Sequence, residues 1–511
     1  MTALLEQERH DGGGRHPDAA PPIALGARLT IADLEVIASR KARLVLAEGT
    51  LARVARGRAV VESIEASGIA AYGVSTGVGS QKDFALDRAA IAGFNDRLIT
   101  AHATRAPGPD AAAETVRAAL ALQLQVLATG QCGVRPCLVE ALLARLQADD
   151  LPRAGLGTSC GMSDIVAMAQ LSRGIIAGSG DGAGSGPAPL PGLAAKEALS
   201  LINSNSLTLG AGALALAEAR RLLDAQTLAA ALALEGFAGN AASWSEAVDQ
   251  ARNQPGQRVA GHRLRAALAG SALLGHGANR LLQDPLSFRC VPQIHGAAET
   301  ALRLAWETWE AELNAVPDNP LILHGRSTAA DSFVAHGNME TTVLALTLDT
   351  LRLAFAKVCD ASNERIHKLQ WRHFSGLPTG LAASDSASGG VQFLNLGHIA
   401  AAHCATIRHA ANPAVLDFRG QVADGVEDVA GNAPVAVEQT WRLLDLAWTL
   451  ATIEAVSAAW SVARRDLDPT ALGVGTGALY SALRSSLPIG REGLRPYDLA
   501  EALTILRTAS H

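Results

Sequence analysis

The feature that most constrains this chain is a set of apolar stripes advancing by three and four residues. Leu344, Leu348, Leu351, Phe355 and Val358 form one stripe. Leu302, Trp306, Trp309, Leu313 and Val316 form a second, and Leu443, Leu446, Leu450 and Ile453 a third. Such a step puts each set on one face of an α-helix, the face that enters a core. Several stripes with little strand-like alternation predict a mainly α fold, a bundle of long helices. Composition says what fills it. Hydrophobic residues make up 49% of the chain and aromatics only 4%, so the core is expected to be aliphatic. Ala and Leu, which dominate it, are also strong helix formers.

At 511 residues the chain is long enough to bury a large core. Residues 1–28, with Gly12-Gly13-Gly14 and several prolines, are expected to form a disordered tail. An N-terminal region over 29–205 and a helical bundle over 206–511 should follow. The Gly/Pro-rich stretch 178–192 reads as a flexible loop. Net charge is −6 with basic residues scattered, which leaves no nucleic-acid footprint. Cys132, Cys137, Cys160, Cys290, Cys359 and Cys404 show neither CxxC pairing nor zinc spacing, so no metal is expected and a reducing, cytoplasmic setting fits. The acidic N-terminus lacks an apolar signal core, and no long uninterrupted apolar run suggests a membrane span.

Several segments carry residues suited to chemistry. Tyr72 opens Tyr-Gly-Val-Ser-Thr-Gly-Val-Gly79, where glycines let the backbone turn tightly and approach a ligand. A free phenol titrates near 10. To serve as a base it needs positive charge or helix N-termini to push it down. The bland reading is a loop tyrosine with a satisfied hydroxyl. His102 ends Phe94-Asn-Asp-Arg-Leu-Ile-Thr-Ala-His102, and a lone histidine is often structural. Arg289, in Gln283-Asp-Pro-Leu-Ser-Phe-Arg-Cys-Val-Pro-Gln, has the planar guanidinium that forks onto a carboxylate; a structural salt bridge is its alternative. Glu427, in Val426-Glu-Asp-Val429, is either an exposed acidic pair with Asp428 or a buried general acid.

Together these segments resemble the aromatic amino acid ammonia-lyases and aminomutases, with histidine ammonia-lyase nearest in pattern. The Tyr72 loop is similar to the family's Tyr-Gly-Val-Asn-Thr-Gly-Phe-Gly, whose tyrosine takes a proton from the substrate β-carbon. The Gln283 segment is similar to Gln-Asp-Pro-Tyr-Ser-Leu-Arg-Cys-x-Pro-Gln, whose arginine binds the substrate carboxylate; Leu286 replaces its tyrosine. The resemblance assigns His102 to the side-chain pocket. It assigns Asn203, in Leu-Ile-Asn-Ser-Asn205, to contact with substrate and electrophile. Gln283 falls in the substrate-binding segment, Asn319 in the Asp-Asn-Pro loop, and Met339 where the family has phenylalanine. Glu427 keeps the glutamate of Gln-Glu-Asp-His, with Val426 and Val429 at its flanks. His295 stands where the family usually has an apolar residue. The resemblance runs from about Leu29 to the C-terminus. It implies the ammonia-lyase (fumarase/aspartase-like) fold and a homotetramer with sites built from several subunits.

The family cyclises an internal Ala-Ser-Gly to a methylidene-imidazolone (MIO), an electrophile that attacks the substrate. In register with Asp164, this chain reads Gly161-Met162-Ser163. Ring closure needs the third residue's nitrogen to attack the first residue's carbonyl, and the second must lose a group from its β-carbon. Methionine has none to lose, and a side chain on the third residue hinders approach. The frame Ser159-Cys160-Gly161 has a leaving group and a terminal glycine, two residues out of register. MIO is therefore disfavoured, and no cofactor is expected. The preferred reading is an MIO-independent enzyme of this superfamily. It would use Tyr72, with Glu427 or His102, to move protons in elimination, isomerisation or conjugate addition and cyclisation on a small carboxylate-bearing metabolite, in specialised metabolism. Its alternatives are a histidine or aromatic amino acid ammonia-lyase or aminomutase with a noncanonical MIO, and a non-catalytic ligand-binding pseudoenzyme.

Overall fold

The computed structural model describes residues 22–177, 192–275, 277–326, 328, 332–384, 394–417, 420–489 and 498–509. The loop expected at 178–192 lies outside them except for Gly192. The described residues are mainly helical, with two small two-stranded sheets. They fall into two compact units. One comprises 1–214, 310–340 and 420–430; the other comprises 215–309, 341–419 and 431–511.

The first unit is built around the Ala113–Ala128 helix, in which every residue from Val116 to Ala128 is buried. Its apolar faces meet the Ile31–Ala38, Thr50–Ser67 and Pro136–Ala148 helices. Buried polar side chains on it are satisfied. Arg117 donates to the carbonyls of Ile37 and Leu146, and Gln123 to that of Ser200. Of the expected tail, residues 1–21 lie outside the described residues, whereas 22–28 are held in place. Ile23–Leu25 pairs in parallel with Leu44–Leu46, and Gln125 accepts from the Gly26 amide and donates to the Ala27 carbonyl. These bonds order a segment whose own three-residue pattern carries no strand signal.

In the second unit the predicted stripes are core. Leu344, Leu348, Leu351, Phe355 and Val358 all lie buried on the Thr342–Gln370 helix. That helix packs with Leu394–Ala410 and Ala433–Arg464. The 302–316 stripe outruns its helix, Val291–Glu312, by one turn. Among the described residues two helical stretches, Glu197–Phe237 (broken at 203–205) and Ala433–Arg464, are apolar and long enough to cross a bilayer, but 94% and 83% of their most apolar windows are buried inside the protein. The length and apolarity are those of core helices.

Candidate active site

In the first unit the structure brings together three of the residues singled out above. Tyr72 lies in a turn whose Ala71 carbonyl accepts from the amides of Val74, Ser75 and Thr76. Its neighbour Gly73 has φ +69°, and a Cβ there would come within 2.4 Å of Leu199 Cδ2, so both the conformation and the space call for glycine. The phenolic oxygen accepts from the Gly79 amide at 2.9 Å, at the start of the short turn Gly79–Gln81. Glu427 closes another tight turn, in which Val422 and Glu427 exchange backbone hydrogen bonds. Ala423 of that turn packs near Gly79. His102 ends the Arg88–His102 helix with Nδ1 2.9 Å from the Leu98 carbonyl.

Electrostatics tie the three together. Burial raises the Glu427 carboxyl above its ordinary range, opposed by the charge of His102. Burial also raises Tyr72. The Gly79 N–H pulls it down and the Glu427 charge pushes it further up, for a net rise. The lowering that a resting phenolate would need is therefore supplied only in part. In this environment the phenol keeps its proton through the neutral range.

The segment carrying Gly161-Met162-Ser163 is zipped onto the turn at 203–208. Ser163 donates its amide to Asn205 Oδ1 at 3.0 Å and its hydroxyl to Asn203 Oδ1 at 2.7 Å. The Asp164 amide donates to the Ser204 carbonyl, and its carboxylate accepts from the Thr208 amide and hydroxyl at 2.8 and 2.7 Å. Burial raises the Asp164 carboxyl even so. Each asparagine also passes the connection on. Asn203 Nδ2 donates to the Asn319 carbonyl and Asn205 Nδ2 to that of Met339. Met162 bridges Glu340 in antiparallel fashion. His336 braces the other side: its amide donates to Asn319 Oδ1, its Nε2 donates to the Asp318 carbonyl and its Nδ1 accepts from the Asn338 amide. Asn205, Asp164, Thr208 and His336 were not singled out by sequence. Asn205 was visible only as part of Asn-Ser-Asn.

This geometry does not fit ring formation at 161–163. Methionine at 162 offers nothing to eliminate. Ser163 sits at φ +77°, a conformation that favours glycine, yet carries a side chain. Its nitrogen, the atom that would have to attack, has its hydrogen directed to Asn205.

In the second unit, Arg289 ends the four-residue helical turn Leu286–Arg289. Its guanidinium donates to Gln283 Oε1 at 2.6 Å, and its charge acts on buried Asp284. Its Nε is buried without a partner among the described residues. A buried donor left open beside a half-exposed guanidinium suits an anion that arrives from outside. Leu286 is 63% exposed, whereas His295 is fully buried, with Nδ1 on the Thr227 hydroxyl. Burial and then the charge of Arg365 hold His295 well below the usual histidine range, so it is neutral. Among the described residues no cluster could hold a metal ion.

The family profile for aromatic amino acid lyases matches residues 29–485. The chain belongs to the aromatic amino acid lyase family. The histidine ammonia-lyase of Geobacillus thermodenitrificans is 31% identical over 479 residues, spanning 91% of this chain and 93% of that protein. That of Deinococcus radiodurans is 34% identical, spanning 85% and 84%. Among solved structures, the ergothioneine-degrading ergothionase of Treponema denticola, in complex with desmethyl-ergothioneine sulfonic acid, superposes with a TM-score of 0.85 at 26% identity, covering 96% of this chain and 98% of that one. Tyrosine aminomutase from Streptomyces globisporus shares the fold with the same TM-score at 24% identity, covering 96% and 97%. The ammonia-lyase fold expected from the motifs is thus the fold this family member has.

Proposed function

We propose that this family member catalyses an MIO-independent elimination on a small carboxylate-bearing metabolite whose nitrogen is already a good leaving group. The observation that carries the reading is Met162 in the middle of the triplet, flanked by a side-chain-bearing Ser163 in the left-handed region. Without an electrophile to activate it, a primary amine is a poor leaving group, and many kcal/mol of barrier lowering would be lost. A quaternary ammonium needs no such activation, because it departs as a neutral tertiary amine. Ergothioneine, which the Treponema relative degrades, carries a trimethylammonium on its α-carbon. A betaine of an aromatic or imidazole amino acid is the substrate class that fits.

Arg289 would hold the carboxylate, meeting Tyr72 and Glu427 in the oligomer that the resemblance implies. The proton on the β-carbon would pass to Tyr72 Oη as the phenol gives its own proton to Glu427; the Cβ–H pair becomes the new double bond and the Cα–N pair leaves on nitrogen. His102 would steady the charge on Glu427. The raised Tyr72 and the reach of the Glu427 charge support this coupled transfer over a resting phenolate. The resemblance further implies a homotetramer, for light scattering to test, and the cysteine pattern a cytoplasmic setting.

Two measurements test the reading. Intact mass spectrometry should return the mass of the unmodified chain. Proton NMR should show trimethylamine released from ergothioneine or histidine betaine, and release abolished in Tyr72→Phe. A second reading, ammonia-lyase activity with MIO from Ser159-Cys160-Gly161, draws on the histidine ammonia-lyase relatives and on the tight bend in that frame. There the Gly161 amide donates to Ser159 Oγ at 3.2 Å and Gly161 has φ +94°. It would show as a mass deficit of one water and one hydrogen sulfide.

A further inference from the structure

We infer that the buried ion pair Arg365–Glu454 is the positioning device for Arg289, an inference that rests on Arg289 as carboxylate receptor. Both side chains are fully buried. Arg365 meets Glu454 with two nitrogens, Nε on Oε1 at 2.5 Å and Nη2 on Oε2 at 3.0 Å, and Ser362 donates its hydroxyl to the same carboxylate. This leaves Nη1 as the free end of a rigid fork, and it donates to the Ser287 carbonyl at 2.9 Å.

Ser287 lies in the turn that ends at Arg289. Three backbone bonds, from the Phe288 and Arg289 amides to the Pro285 carbonyl and from the Cys290 amide to that of Leu286, fix the shape of the turn; its remaining carbonyls are left for partners from outside. The next carbonyl, of Phe288, accepts from Trp244 Nε1 at 2.9 Å, and the Phe288 ring stacks on Phe237 with centroids 4.2 Å apart. Two successive carbonyls are thus pinned by donors from separate helices, one of them a cation facing the C-terminal end of the turn, where positive charge is favoured. The Glu454 carboxylate fixes the plane of that cation. A buried pair is a weak source of stability compared with apolar residues of similar volume. Its geometry, with one edge spent on Glu454 and the other on the turn, is what an apolar pair could not reproduce.

The test uses full-length protein and cinnamate, a simple aryl carboxylate, titrated calorimetrically. Arg365→Lys keeps the charge beside Glu454 but loses the second edge. It should fold, and bind cinnamate roughly tenfold more weakly, since small misplacements at a binding group are costly. The double variant Arg365→Met/Glu454→Met should recover the melting temperature lost in either single Met variant without recovering affinity. A purely structural pair would instead restore both together. Wild-type affinity in folded Arg365→Lys, or affinity returning with stability in the double variant, would overturn the inference. Arg289→Gln separates the two levels. If it weakens binding while the Arg365 variants do not, only the positioning role fails. If it leaves binding unchanged, or wild type binds no aryl carboxylate, the receptor reading fails and takes this inference with it.

Discussion

The hydroxyl of Ser163 donates to Asn203 Oδ1 at 2.7 Å while its backbone stands at φ +77°. Two opposed terms meet at one residue. The left-handed conformation costs a non-glycine residue about 1–2 kcal/mol. The hydroxyl repays this by satisfying a buried acceptor that would otherwise cost about 1–3 kcal/mol.

The balance orders two variants. Ser163→Ala keeps the strain and loses the bond, so it should destabilise most. Ser163→Gly loses the bond but also the strain, and should fall between Ala and wild type. Urea or thermal unfolding of the three proteins checks the order. Ser163→Ala as stable as wild type would mean the hydroxyl contributes nothing.

Neutralising Glu427 should make Tyr72 easier to ionise. Burial is the larger cause of the raised phenol, but the Glu427 charge adds to it. In Glu427→Gln that second push is gone. Ultraviolet titration, with Tyr72→Phe subtracted to remove Tyr480 and Tyr497, should place Tyr72 at a lower pH than in wild type. An unchanged Tyr72 midpoint would show that the carboxylate does not act on the phenol.

The same pair sets the acid limb of activity. Glu427 must be ionised to accept the phenolic proton, and burial lifts its pKa above the ordinary glutamate value of about 4.3. Turnover of a betaine substrate should therefore rise with pH through that lifted value and hold level on the alkaline side, because Tyr72 titrates above its ordinary range. A bell falling near neutral pH would point to a different pair of groups.

How much of this was legible beforehand follows from which interactions are local. The stripe Leu344 to Val358 could be read because helix periodicity is a property of adjacent residues, and it became core. Tyr72, His102 and Glu427 could be picked from their segments, and the fold does place them within reach of one another's charge. That burial would raise Tyr72 could not be read, since burial is set by residues far along the chain. Nor could the roles of Asn205 and Thr208. Their bonds to Ser163 and Asp164 span more than forty residues and leave no spacing to recognise. His336 opens His336-Gly-Asn-Met339, but its bonds to Asp318 and Asn319 reach 18 and 17 residues back along the chain and leave no local spacing to read.

Acid should weaken the second unit at Glu218. Burial raises this carboxyl, but hydrogen bonds and charge from Arg221 and Arg507 outweigh it, and the net direction is down. A carboxyl depressed in the folded state contributes stability above its unfolded pKa of about 4.3 and loses it as pH falls through the lower, folded value. Melting curves of wild type and Glu218→Gln should differ at neutral pH and converge in acid. A gap that stays constant to low pH would assign the loss to packing against Trp448, whose indole nitrogen also donates to Glu218.

Restoring the triplet asks whether the loop has lost only its chemistry or also its shape. In Gly161→Ala/Met162→Ser/Ser163→Gly the middle residue regains a hydroxyl to lose. The third becomes the residue that φ +77° suits, with no side chain to block its nitrogen. The amide bond to Asn205 remains, but a hydrogen bond of that kind is worth only about 1 kcal/mol net, or roughly a fivefold slowing. The triple variant should therefore mature. Its intact mass should fall by two waters and a borohydride-sensitive near-ultraviolet band should appear, neither of which Met162→Ser alone should show. An unmodified mass in a triple variant that melts like wild type would mean that the bonds the variant keeps, to Asn205 Oδ1 and the Ser204 carbonyl, have removed the cyclising geometry as well as the leaving group.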